Sequence, residues 1–240
     1  MAADPEPSEP VHAVLRDSLD DLLTIAVAAT GRGAELMRTR DPGHLAGKGD
    51  RDLRAFLAEE TVLDPIDGTV NFAHTVPLCG VSLGLVSDQR PVLGVVELPF
   101  LSSRYSATVG GGAWCDGRPI RIRGAAQLSD ALVNLGDYAV GADAERSNAA
   151  RFALAEGIAR TTLRVRMLGS AAVDLVWVAE GRADVAIALS NKPWDTAAGT
   201  LIAREAGAAV VDVDGSPQIL DKVLAIVDTA LRTAALRTAA

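Results

Sequence analysis

The segment Thr61-Val-Leu-Asp64-Pro65-Ile66-Asp67-Gly68-Thr69-Val70-Asn71-Phe72 constrains this chain more than any other. Thr61 to Leu63 reads as a brief strand that delivers two carboxylates three positions apart. Pro65 between them cannot donate to a ladder, so the regular pairing breaks there and backbone carbonyls such as that of Ile66 can turn inward. Such a set of oxygens suits a hard divalent cation. Gly68 and Thr69 follow at once, a close-approach backbone and a hydroxyl at a helix start, where free N–H groups favour an anion. Taken as a bare Asp-x-x-Asp-Gly, the same residues are also ordinary strand-end turn chemistry.

The surrounding pattern mixes two kinds of structure. Leu15, Leu19, Leu22, Leu23 and Ala26 recur at helical spacing, which predicts a long first helix reaching toward Met37. A Gly- and charge-rich loop from Asp41 to Asp52 and a short helix from Leu53 to Glu60 come next. Two β-rich runs between Val81 and Val96 flank Ser87-Asp-Gln-Arg-Pro91, a hairpin with a five-residue connection, and Asp116-Gly117 marks a second tight turn. The second half alternates: helix around Asn148 to Ile158, strand at Leu163 to Met167, helix at Ala171 to Ala179, strand at Ala183 to Ile187. A helix from Thr196 to Ala206, stopped by Gly207, precedes a strand at Ala209 to Val213, a turn at Asp214-Gly215 and a last helix carrying Leu220, Leu224, Val227 and Leu231. Residues 1–10 read as a disordered acidic tail without a secretory signal, and 11–240 as one domain of two packed halves, about 11–135 and 136–240.

Composition excludes several classes. A formal charge of −8 opposes nonspecific nucleic-acid binding. The longest aliphatic stretches fall far short of the roughly 20 residues a membrane-spanning helix needs. Cys79 and Cys115 stand far apart, which predicts packed core thiols, no zinc site, and a reducing cytoplasmic setting. His12, His44 and His74 show no paired spacing and read as structural or exposed.

A second constellation, Pro193-Trp194-Asp195-Thr196-Ala197-Ala198-Gly199, sets a carboxylate at a helix start. Alone, Asp195 is as well explained as an N-cap and Trp194 as a core anchor. Together, the Asp-Pro-Ile-Asp-Gly-Thr run and the later Trp-Asp followed by small residues resemble the inositol monophosphatase-like family of magnesium-dependent phosphatases. The likeness extends through Lys48-Gly-Asp-Arg-Asp52, Gly80-Val-Ser-Leu-Gly84, Gly111-Gly-Ala-Trp114, Gly169-Ser170-Ala171 and Ala203 to Gly215.

That resemblance implies an α/β fold, a layered αβαβα sandwich of the inositol monophosphatase and fructose-bisphosphatase type, and a homodimer. It implies metal ligation by Asp64, the Ile66 carbonyl, Asp67 and Asp195, with Gly68, Thr69, Gly169, Ser170 and Ala171 holding phosphate or substrate. Asp64, Thr69 and Asp195 become the catalytic set, Thr69 orienting the attacking water, and Lys48 lies near the rim. Two or three magnesium ions (Mg2+) would neutralise the phosphate and activate water for hydrolysis of a small-molecule phosphate ester. Inositol monophosphate is the first expected substrate, with fructose bisphosphate, histidinol phosphate and adenosine bisphosphate within the same chemistry. A carboxylate that inositol-specific members place shortly before the Trp-Asp falls on Ala188.

The resemblance also breaks. The family's Gly-Glu-Glu, whose first Glu ligates metal, is absent, as is a separate Thr-x-x-Asp segment usually found after the Lys48 region; Glu59 and Glu60 lie only a few positions before Asp64. Either these segments are true deletions, leaving a catalytically silent metal- or phosphate-binding relative, or the full protein carries loops that this chain omits.

Overall fold

The computed structural model describes residues 9–39, 61–142, 144–188 and 191–211. The expected helix over 53–60, residues 212–240 with the turn and last helix expected there, and Lys48, His44, Glu59 and Glu60 lie outside that set.

Helix α1 (Glu9–Thr39) presents Leu19, Leu23, Ala26 and Val27 to one face of an antiparallel sheet, meeting Leu83, Leu85, Leu93 and Val95. That sheet is a meander in sequence order: β1 (Thr61–Asp67), β2 (Gly80–Ser87), β3 (Arg90–Leu98), β4 (Ser103–Thr108), β5 (Ala113–Cys115) and β6 (Arg118–Ile120). Side chains alternate along a strand, so Val96 and Leu98 point the other way, onto helices α4 (Ala171–Ala179) and α5 (Pro193–Glu205). Beyond these helices lies a parallel sheet in the order β8 (Arg164–Arg166), β7 (Leu132–Leu135), β9 (Val185–Ile187). Helix α3 (Ala144–Thr161) covers its far side, packing Leu154 and Ile158 on Val133 and Leu135. The layers therefore run α1, six-stranded sheet, α4 with α5, three-stranded sheet, α3, which is the αβαβα sandwich.

Three expectations change. The β2–β3 connection is two residues, Asp88 and Gln89, rather than five, because both adopt left-handed backbone (φ 48° and 61°) that matches the twist of the flanking strands. The strand expected over 209–213 does not form in its described part, 209–211. After Gly207 (φ 99°) turns the chain, Ala208 and Val210 pack their side chains into the core beneath α5 instead of joining a ladder. Strands β4 and β7 arise where none was expected, and β7 is the central strand of the second sheet. Among the described residues no helix is long and apolar enough to cross a membrane.

Candidate metal centre

Strand β1 carries the first two carboxylates. Its ladder with β2 is regular as far as the Asp64–Ser82 pair and resumes at Asp67–Gly80, the irregularity falling on Pro65 and Ile66. Asp64 closes a local turn across it, its Oδ1 accepting the Ile66 N–H at 3.0 Å. The skipped register carries the two acidic side chains to one place instead of leaving them on opposite faces, as a regular three-residue offset would.

Gly68 links β1 to the short helix α2 (Thr69–Ala73) with φ 78°. A Cβ there would sit 2.8 Å from the Leu78 carbonyl oxygen, so both conformation and space demand glycine. The Thr69 hydroxyl donates to the Ile66 carbonyl at 3.0 Å. Asn71 ties the motif to the rest of the chain, its Nδ2 donating to the carbonyls of Leu78 and Leu168, both at 2.7 Å. The Leu168 bond fixes the loop that begins Gly169-Ser170-Ala171, and Gly169 (φ 75°) passes so close that a Cβ would meet the Asn71 amide at 2.9 Å.

Ser170 serves two partners. As N-cap of α4 its hydroxyl oxygen accepts from the Val173 N–H at 3.2 Å, and its hydroxyl proton goes to Asp67 Oδ1. The Ala172 N–H also donates to that oxygen, at 3.3 Å. Ala171, half-buried, opens the helix.

Asp195 arrives on α5. It is the third residue of the helix rather than its N-cap; Lys192 holds the cap position and donates its backbone N–H to Asp195 Oδ2 at 2.7 Å. Small residues let this helix come close to the sheet. Gly84 and Gly94 are cross-strand partners, and a Cβ on either would strike Ala197 or the backbone of Ala198 at 2.8 to 3.2 Å. On the other side of the helix, a Cβ on Gly199 would meet Leu175 at 2.7 Å. Trp194 is half-buried.

Asp64, Asp67 and Asp195 consequently meet, each offering a carboxylate oxygen within 4.8 Å of the others. Asp64 and Asp67 are buried, at 8% and 4% exposure, and Asp195 is half-buried. Burial pushes the Asp67 carboxyl up to about 7; the Ser170 hydroxyl and the Ala172 amide pull it down, while the charges of Asp64 and Asp195 push it higher. Mutual repulsion among acids in a shielded site is what a divalent cation relieves. Three converging hard oxygens fit magnesium as a donor set.

Sequence reasoning overlooked Asn71, Ser82 and Asp174. Asp174 is buried on α4, where burial and then the charges of Asp67 and Asp137 raise its carboxyl to about 7. A polar residue inside an otherwise apolar stretch, as in Ala-Ala-Val-Asp-Leu-Val, was the available signal. His74 is exposed at the end of α2, and both cysteines are free and buried, their thiols raised to about 11 chiefly by burial.

Five alternating layers, with a carboxylate cluster between the first sheet and the central helices, define an α/β sandwich with a candidate divalent-cation site. The sequence profile of the inositol monophosphatase family matches residues 58–240, and the chain belongs to that family. It is 38% identical to inositol-1-monophosphatase ImpA of Mycolicibacterium smegmatis over 160 residues, 67% of this chain and 58% of that protein. It is 37% identical to the fructose-1,6-bisphosphatase/inositol-1-monophosphatase of Thermotoga maritima over 156 residues, 64% of this chain and 57% of that protein. The chain thus spans under two thirds of the length of these curated relatives. The solved inositol monophosphatase from Anabaena superposes with a TM-score of 0.67 at 31% identity, covering 80% of this chain and 83% of that one.

Proposed function

We propose that this chain hydrolyses a small-molecule phosphate monoester, with magnesium held by Asp64, the Ile66 carbonyl, Asp67 and Asp195. The observation that carries the reading is the convergence of three carboxylates within 4.8 Å. Magnesium bound there supplies Lewis-acid neutralisation of the phosphate charge and activation of the attacking water.

The residues around it have separable roles. Ser170 and the Ala172 amide orient the Asp67 carboxylate and favour its ionised form against the opposing effect of burial. The Lys192 amide fixes one oxygen of Asp195. A Thr69 hydroxyl that donates to Ile66 meets any other group as an acceptor, which orients the proton of an approaching water. Gly68 and Gly169, where a Cβ would strike Leu78 and Asn71, let the Asp64 to Thr69 motif and the Gly169-Ser170-Ala171 loop pack closely together, and the backbone amides of these segments are the groups assigned to phosphate.

Inositol monophosphate is the first substrate to try, supported by the names of the relatives. The paired name of the Thermotoga protein makes fructose 1,6-bisphosphate the second. One observation favours a silent cation- or phosphate-binding relative instead: Glu59-Glu60 stands only a few positions before Asp64, and no Gly-Glu-Glu precedes it.

The test is release of inorganic phosphate from inositol monophosphate, fructose 1,6-bisphosphate, histidinol phosphate and adenosine bisphosphate, with magnesium and with chelator. Turnover of one compound that chelator abolishes is the expected result. Folded protein that turns over none of them overturns the enzyme reading in favour of the silent relative.

A further inference from the structure

Ser82 stands directly opposite Asp64 in the β1–β2 ladder. Opposed residues on antiparallel strands project to the same face within mutual reach of their side chains. That face lies beneath α5: the next pair along it is Val62 with Gly84, and a Cβ on Gly84 would touch Ala197. Ser82 therefore shares a surface with the carboxylate that opens the acidic cluster, under the helix that carries Asp195.

Ser82 is 1% exposed, and its hydroxyl has no hydrogen-bond partner among the described residues. The carboxylates of the cluster accept from other donors: Asp64 from the Ile66 amide, Asp67 from Ser170 and Ala172, Asp195 from the Lys192 amide. An unsatisfied buried hydroxyl lowers stability, and alanine would occupy the same space without that cost. Buried polar atoms are nearly always paired in the functional state of a protein.

We propose that Ser82 is a positioning residue of the metal centre, its hydroxyl donating to the Asp64 carboxylate and fixing the oxygen that Asp64 presents to a bound divalent cation. A carboxylate that binds metal through one oxygen is oriented by hydrogen bonds to the other, and such outer partners set metal affinity. The proposal rests on the metal-site reading above.

The experiment is Mn2+ titration of the full chain, followed by the electron paramagnetic resonance of the free ion, for wild type, Ser82→Ala, Ser82→Thr and Asp64→Asn. Thermal midpoints of each in chelator accompany it. Ser82→Ala is expected to bind Mn2+ roughly 10-fold more weakly, within the range typical of outer partners, while its midpoint in chelator is unchanged or higher. Ser82→Thr, which restores a hydroxyl, recovers affinity. A Ser82→Ala protein that titrates like wild type overturns the proposal, and so does one whose chelated midpoint falls while affinity holds, since that marks a structural role. Wild type and Asp64→Asn binding equally weakly would instead refute the metal centre, and this proposal with it.

Discussion

Helices α5 and α3 meet their sheets by opposite means. Against the six-stranded sheet, α5 lies on a glycine pair, Gly84 and Gly94, through Ala197 and Ala198, so backbone approaches backbone. Against the three-stranded sheet, α3 packs with ordinary aliphatic bulk, Leu154 and Ile158 on Val133 and Leu135. Bulk yields stability and tolerates small adjustments, whereas close backbone contact fixes a distance. The first arrangement is found where Asp195 must reach Asp64 and Asp67, the second where no member of the cluster is carried.

The largest expected effect removes the charges themselves. Asp64→Asn and Asp195→Asn should each lower magnesium-dependent phosphate release by more than ~100-fold, beyond what loss of an outer partner causes, with circular dichroism unchanged. Next comes a contrast between the packing modes. Leu154→Ala should cost about 2–5 kcal/mol in denaturant unfolding yet leave turnover per folded molecule near wild type. Gly94→Ala, whose new Cβ would meet the Ala198 backbone at 2.8 Å, should cost only ~1–3 kcal/mol and still reduce Mn2+ affinity, because α5 must lift. Equal behaviour of the two variants would erase the distinction drawn here.

Two smaller effects concern helix α4. Ser170→Ala loses the cap of α4, worth about 1 kcal/mol, and removes a donor that favours ionised Asp67. The Asp67 carboxyl then rises further, so the acid limb of Mn2+ binding, measured against pH, should move to higher pH. Asp174 gives the last. In chelator its folded carboxyl holds a proton up to about 7, against 3.8 ordinarily. Between those values the folded state binds more protons than the unfolded one, so stability falls as pH rises through that window. Asp174→Asn should reduce that fall, which has a slope on the order of 1 kcal/mol per pH unit for one such group, in unfolding curves taken from pH 4 to 8.

Local chemistry is what the sequence made legible. The Asp64 to Thr69 run announced a broken strand with inward oxygens, the alternation of helices and strands in the second half marked α4, and Gly207 marked the end of α5. Features set by tertiary contact were not legible. Strand β7 is four residues with Asn134 at its centre, and only its neighbours β8 and β9 make it a strand. The short β2–β3 turn depends on Gln89 adopting a backbone that glutamine rarely takes. Asp195 looked like an N-cap because a carboxylate at a helix start does so often; its place as the third residue, held by the Lys192 amide, follows from where the first turn begins at Pro193. The pairing of Ser82 with Asp64 joins residues eighteen apart in sequence through register alone.

Anomalous diffraction from crystals soaked in Mn2+ tests the central claim most directly. The account predicts a peak bounded by the carboxylates of Asp64, Asp67 and Asp195, and its loss in Asp195→Asn. Well-diffracting crystals with no peak there, or with an identical peak in the variant, would contradict it.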